Sequence, residues 1–385
     1  MRSALEIVFW LSCALIIWTQ IGYALALWLL ARLLRGGGES APPSVPELPR
    51  LSLIVAAHNE GGVIATKVAN ALTLDYPRER LEVIVACDGC TDATAAQARE
   101  AGADVVLELP RGGKIRAQDA AVEQAKGEIV AFSDANSYWE PEAARLLVAA
   151  FADERVGYAC GQVRFVAAAG ESNQEGVYWR YEMGVRSLES RLSSITAGNG
   201  AIYATRRDGY IHVDPIMGHD LSLPFQVVKG GKRAVYVPQA LASERMVPSL
   251  GGEFARKRRM MSHTWPILLR GGMLSPRGYS LGYGLMIISH RLLRYATPFL
   301  HLLALAANVA LVVIGVGGWA GPLYTVTLDL QLALLLAAAL AGVMPLRLLL
   351  IARYYVITTA SLAAGLWDWL LHGTNASWEA AEGTR

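Results

Sequence analysis

Cysteine is scarce in this chain, and charge of either sign is nearly cancelled. Four cysteines in 385 residues make no disulfide framework and fit a reducing compartment. Lys and Arg number 35 against 33 Asp and Glu, a net charge of +2, so the basic footprint of a nucleic-acid-binding protein is missing. No internal repeat is found. Charge is absent altogether from residues 7–30, IVFWLSCALIIWTQIGYALALWLL. What is abundant is apolar. Hydrophobic residues make up 53% of the chain and mean hydropathy is +0.31. That exceeds an ordinary soluble enzyme, and the length allows a sizeable core plus membrane segments.

The run at 7–30 is long enough to cross a bilayer, which takes roughly 20 residues. A signal peptide would have an apolar core of only about 7–15 residues, so residues 1–35 are expected to be an uncleaved membrane helix. Arg32, Arg35 and Arg50 follow it, which puts that end in the cytoplasm by the positive-inside tendency. Residues 36–50 are rich in Gly and Pro and read as a linker. Apolar runs return at 295–318 and 328–344, with a weaker third at 354–371. Arg291 and Arg294 precede the first, Arg347 and Arg353 follow the second, and the stretch from Trp319 to Thr327 carries no Lys or Arg. Residues 291–372 are expected as C-terminal transmembrane or interfacial helices, the first two runs forming a hairpin with its turn outside and both ends in the cytoplasm. The third run contains Trp367, Asp368 and Trp369 and can lie along the interface instead. Residues 251–290 read as an amphipathic interfacial region, because EFARKRRMMSHTW is basic on one side and apolar on the other.

Between these segments, residues 51–250 have a globular composition. LSLIVAA, LEVIVA, ADVVLEL and GEIVAFSDA are strand-length runs that alternate with helical stretches, which implies βαβ units and a parallel sheet. Ligands of such sheets bind beyond the carboxyl ends of the strands. Asn59 and Glu60, then Asp88, then Asp134 fall at three of those ends.

Asp88 sits inside a C-x-x-C pair, Cys87 and Cys90. Zinc needs four ligands, Cys13 is in the membrane run and Cys160 has no cysteine beside it. A redox pair needs a cation to lower a thiol pKa, and the adjacent charge is Asp88. The sulfurs therefore read as small side chains of a turn, with Thr91 or Asp92 capping the next helix. Asp134 and Asn136 can present oxygens to one hard cation. Equally, Asp134 or Ser137 can start the helix PEAARLLVAAF. RGGKIRAQDAA is not a Walker A loop, since Ile115 stands where Ser or Thr is needed. Lys114 reads either as a phosphate contact or as a solvated lysine.

Taken in order, these stretches resemble family 2 glycosyltransferases of the α/β, Rossmann-like GT-A fold, with one N-terminal and two or three C-terminal transmembrane or interfacial helices. CDGCTDAT resembles the D-G-S-T-D turn, GEIVAFSDAN the D-x-D stretch, AGNGAIYATRR the acceptor-side segment, GHDLSLPF the acidic pair carrying the base, and RKRRM the Q/R-x-x-R-W motif. The resemblance implies a nucleotide-sugar site made by Ala57, Asn59, Glu60, Asp88, Lys114, Asp134, Arg256 and Arg259. It implies Asp134 and Asn136 on Mg²⁺ or Mn²⁺, Gly198, Asn199, Gly200 and His219 on the acceptor side, and Asp220 as general base of an inverting transfer, with Arg259 stabilising the leaving diphosphate. A UDP-sugar donor, a lipid-linked or glycan acceptor, and a multi-pass inner-membrane protein with a cytoplasmic catalytic domain are expected. A membrane-anchored nucleotidyltransferase and a non-catalytic export scaffold are the alternatives. Four departures from the pattern are visible: Asn136 for the second aspartate, His219 for the acid before Asp220, Asp119 for an asparagine, and Met260 for the tryptophan of processive synthases. Of the basic cluster, Arg259 is expected inward and Lys257 and Arg258 toward headgroups. The tail, residues 373–385, resembles one that folds back near the site, and its Asn375-Ala376-Ser377 sequon is read as chance.

Overall fold

The computed structural model describes residues 2–34, 47–166, 176–245, 250–315, 320–344, 346–374 and 376. The linker at 36–46 and the sequon residues Asn375 and Ser377 lie outside them.

Helices α1 (Arg2–Ile17) and α2 (Tyr23–Leu33) are one apolar rod interrupted by a π-helical turn at Trp18–Gly22. The globular part follows as β1 (Leu51–Ala57), α3 (Ile64–Leu72), β2 (Leu81–Asp88), α4 (Thr94–Glu100), β3 (Val105–Leu109), α5 (Lys114–Gln124) and β4 (Ile129–Asp134). It continues through β5 (Tyr138–Trp139), α6 (Ala143–Ala149), β6 (Val156–Val166), α7 (Gly176–Leu192), β7 (Tyr203–Arg206), α8 (His219–Lys229) and β8 (Arg233–Arg245). One eight-stranded sheet has the order β3-β2-β1-β4-β7-β6-β8-β5. The first four strands pair in parallel, as the alternating runs require. Beyond β4 the sheet is mixed: β7 is antiparallel to β4 and β6, and β8 runs parallel to β6 but antiparallel to β5. Every residue of β1 is buried, because helices cover both faces of a central parallel strand. That burial selects the unbroken apolar run LSLIVAA.

Beyond the sheet come α9 (Leu250–Leu269), α10 (Leu281–Met286), α11 (Leu293–Ile314), α12 (Ala320–Leu340) and α13 (Arg347–His372). Helices α10 and α11 join through a second π-helical segment, Ile287–Leu292. Among the described residues four helices are long and apolar enough to cross a membrane: Arg2–Leu33, Leu281–Ile314, Gly321–Leu340 and Arg347–His372. Three expectations change. The second of these spans starts at Leu281 rather than near residue 291, its entry fixed by the Ser280 hydroxyl, which accepts a hydrogen bond from the Tyr283 amide. Residues 320–327, expected to lie between the first two apolar runs as the turn of the hairpin, are the first turns of α12. Neither Asp134 nor Ser137 starts a helix, because β5 intervenes before α6.

The third apolar run is one continuous helix, α13, laid against α9. A Cβ at Gly365 would collide with Met261 and come within 2.7 Å of the Arg258 carbonyl, so close approach of the two helices requires glycine there. Arg258 forms a two-pronged pair with Asp368, both distances 2.5 Å, and Lys257 bonds Tyr354 Oη at 2.6 Å. These two cations were expected at headgroups. Helix α13 takes them instead, since each meets a polar partner on it.

Candidate active site

The carboxyl ends of β2 and β4 flank that of β1, with Ala57 opposite Cys87 and Ala56 opposite Asp134. Two strand spacings, on the order of 10 Å, separate Asp88 and Asp134 across β1. The two carboxylates have different surroundings. Asp88 is buried, and its carboxylate accepts from the Gly112 amide at 2.6 Å and the Gly113 amide at 3.0 Å, with Arg111 at 3.5 Å. It therefore pins the turn that aims Lys114. Asp134 is half-exposed and pairs closely with Lys114 Nζ, which also lies 3.4 Å from the Gly200 carbonyl.

Asp220 occupies the first turn of α8, where negative charge is favoured by the helix dipole. Its main-chain carbonyl accepts from the Gly198 amide at 2.7 Å. Gly198 has no room for a side chain, because a Cβ would strike the buried Tyr158 hydroxyl. Asn199 closes the loop by donating to the Gly161 carbonyl at 2.7 Å and accepting from the Ala201 and Ile202 amides.

A cavity of about 570 Å³ unites these groups. Lys114, Asp134, Gly198, Asn199, Gly200, His219, Asp220, Arg256 and Arg259 all line it. Ala57, Asn59, Glu60, Asp88 and Asn136 do not. Asn59 has φ +52° and its side-chain oxygen accepts from the Thr91 amide. The Glu60 amide donates to the Thr94 hydroxyl. Both hold the turn after β2, which Asp92 also closes through the Thr94 amide.

His219 neither bonds Asp220 nor lies on a strand edge. It is the first residue of α8, with Nδ1 2.8 Å from Tyr203 Oη and Nε2 3.2 Å from Tyr210 Oη. Tyr210 in turn donates to Asp119 at 2.6 Å. Burial, then Lys114 and His212, push the imidazole down to about 3, so it is neutral at working pH. Burial pushes the Cys87 thiol up to about 12, and Cys90 adds to the shift, which removes the thiolate that redox or metal chemistry needs. The Cys90 thiol rests 3.5 Å from the Ala57 carbonyl. Among the described residues no cluster of three His, Cys, Asp or Glu has metal-site geometry.

Two buried groups, of which Glu244 lines the cavity, escape the sequence reading. Glu244, in the last turns of β8, is raised to about 7, by burial first and Asp134 second, and its Oε1 is buried without a hydrogen-bond partner. Lys67, wholly buried on α3, donates to the Ser137 carbonyl at 2.6 Å, and burial pushes it down to about 7. Asp134 and Glu244 line the same cavity. The tail reaches the same region: Thr374 donates to the Ser262 carbonyl, and the Ala376 carbonyl lies against Gly113.

Residues 52–205 match the family described as Glycosyl transferase family 2. The chain is 34% identical over 164 residues to a beta-monoglucosyldiacylglycerol synthase of Synechocystis sp., covering 39% of this chain and 33% of that one. It is 26% identical over 242 residues to an N-acetylglucosaminyltransferase of Mesorhizobium japonicum, covering 56% of each. The chain thus spans between a third and about half of the length of these relatives. A mannosyltransferase from Pyrobaculum calidifontis, solved with GDP-Man and Mn²⁺, shares the fold with a TM-score of 0.69 at 23% identity, over 95% of this chain and 99% of that one.

Proposed function

Because residues 52–205 match the family described as Glycosyl transferase family 2, we propose that the chain moves a sugar from a nucleotide-sugar donor to a lipid-linked or glycan acceptor at a membrane surface, with inversion. The observation that carries this reading is that Asp134 and Asp220, remote in sequence, line one cavity with Lys114, Arg256 and Arg259. Asp220 takes the proton of the acceptor hydroxyl as its oxygen attacks the sugar C1. The bond from C1 to the diphosphate oxygen breaks on the opposite side, and the electron pair leaves with the nucleoside diphosphate. Lys114, Arg256 and Arg259 meet that developing charge. A divalent cation, Mg²⁺ or Mn²⁺, held by Asp134 and Glu244, would neutralise the diphosphate oxygens. Asp88 acts through the turn it pins rather than by touching the nucleotide.

Four apolar helices and Arg-flanked ends support a multi-pass membrane protein whose catalytic domain faces the cytoplasm. Nucleotidyl transfer has no need of Asp220 beside a basic cluster, and a scaffold has no need of paired carboxylates in one cavity. The test is a screen of UDP-, GDP- and dTDP-sugars with Mn²⁺ on the full chain in detergent, reading binding and donor turnover. UDP-sugars are expected to bind, turnover to vanish with EDTA, and Asp220→Asn to lose about 10²–10⁴-fold in transfer while still binding donor. Undiminished turnover in EDTA removes the cation, and near-normal transfer by D220N moves the base elsewhere.

A further inference from the structure

The cavity does not end at the carboxylates. From Asp134 and Asp220 its wall continues to Glu182 and Arg186 on α7, to Arg291 and Arg294 in the span Leu281–Ile314, and to Tyr354, Thr358 and Leu362 on α13. Lys and Arg on the whole wall number seven against four Asp and Glu, and at the membrane end Arg186, Arg291 and Arg294 face Glu182.

Most of the charge at that end is already matched. Glu182 meets Arg294 at 2.6 Å and His290 Nε2 at 3.1 Å. Glu189 meets His290 Nδ1 at 2.7 Å and accepts from Tyr23 Oη at 2.6 Å and the Thr196 amide at 3.0 Å. Burial alone would raise Glu182, but Arg294, His290 and Arg291 outweigh it and hold the carboxyl well below its ordinary range.

Two guanidiniums are left incompletely used. Arg186 is 5% exposed and donates from Nη2 to the Gly198 carbonyl at 3.0 Å, while its Nε and Nη1 have no hydrogen-bond partner. Arg291 is 6% exposed and donates from Nε to Thr196 Oγ1 at 2.8 Å, with Nη1 3.8 Å from Glu182, while its Nη2 has none. Buried charged donors without acceptors are costly, and a guanidinium with free N–H groups matches a phosphate. Arg186 is also one residue from the base, because the Gly198 whose carbonyl it holds gives its amide to Asp220.

We propose that Arg186 and Arg291 form a phosphate subsite for the acceptor, and that the acceptor is a lipid whose sugar or hydroxyl is carried on a phosphate. The phosphate sits between the two guanidiniums, the chain leaves along Tyr354, Thr358 and Leu362, and the reacting hydroxyl lies at Asp220. The proposal rests on the transferase reading of the same cavity and fixes the class of its acceptor.

Binding of farnesyl phosphate, farnesol and inorganic phosphate to the full chain in detergent tests it, alongside nucleotide-sugar binding with Mn²⁺. Farnesyl phosphate is expected to bind about tenfold or more tighter than farnesol, the equivalent of one charge-assisted hydrogen bond. Arg186→Gln and Arg291→Gln should each erase that preference while nucleotide-sugar binding stays as in the wild type. Retained donor binding reports an intact fold, and R186Q serves where R291Q does not fold. Equal binding of farnesol and farnesyl phosphate overturns the proposal. So does inorganic phosphate competing as well as the lipid, which makes this a free-phosphate site, or phosphatidylglycerol nanodiscs displacing the probe equally, which makes it a bilayer-lipid site. Failure of the wild type to bind any nucleotide sugar counts against the transferase reading instead.

Discussion

The two ends of the cavity are built from opposite materials. At the donor end, Asp134, Glu244 and Asp220 come from two strands and a helix start, and Lys114 pairs directly with Asp134. At the membrane end, Tyr23, Glu182, Glu189, His290, Arg291 and Arg294 come from three helical segments and are bonded mostly to one another. The first set shares its wall with Lys114, Arg256 and Arg259. The second is internally matched and joins the sheet to the apolar helices, with two arginines to spare. One end is organised by what it will bind, the other chiefly by what it already holds.

Cutting the matched end is expected to have the largest effect. Glu189→Gln removes the charge that faces His290 in a fully buried setting. Breaking such a pair costs about 3–5 kcal/mol, so thermal unfolding in detergent should shift strongly while nucleotide affinity of the folded fraction is unchanged. An unshifted melting temperature would mean that this network does not bind the sheet to the helices. Asp134→Asn should do the reverse. Donor turnover is expected to fall about 10²–10³-fold, as when a transition-state charge partner is lost. Stability should stay within about 1 kcal/mol, because the pair with Lys114 is part-exposed. A variant equally impaired in both measurements would erase the distinction between the ends.

The same division explains what could be read from the sequence. The runs that became β1, β2 and β4 were legible because strands buried on both faces are continuously apolar. The meeting of Asp134 and Asp220 in one cavity was legible because the first ends such a run and the second follows recognisable neighbours. The hydrogen-bond partners of Asp88 were not. Its carboxylate turns back onto the Gly112 and Gly113 amides, a choice made by turn geometry and invisible in spacing. Glu244 and Lys67 escaped because a buried charge is recognisable only beside its partner, and theirs lie on other elements. Arg291 and Arg294 were seen, but as markers of topology. Two ionisable residues three apart inside an apolar helix carry a second meaning, and the π-helical segment Ile287–Leu292 that turns Arg291 inward leaves no mark in hydropathy.

His219 lies between the two ends and sharpens the comparison by a smaller amount. Its imidazole faces Tyr203, Tyr210 and the ring of Phe132, with Lys114 and His212 as the nearby cations. The folded-state value of about 3 lies below an unfolded value near 6.5. The unfolded chain therefore binds the proton first as pH falls, and stability present above about pH 6.5 is lost progressively toward pH 3. Between pH 7 and pH 5.5 this one group should remove about 1 kcal/mol. His219→Gln keeps a polar side chain beside the tyrosines but cannot titrate. It should be less stable than wild type at pH 7, and the gap should narrow by about that amount at pH 5.5. If melting curves of the two proteins shift in parallel across that range, the imidazole is protonated in the folded state. The tyrosines around it would then be serving a charge rather than excluding one.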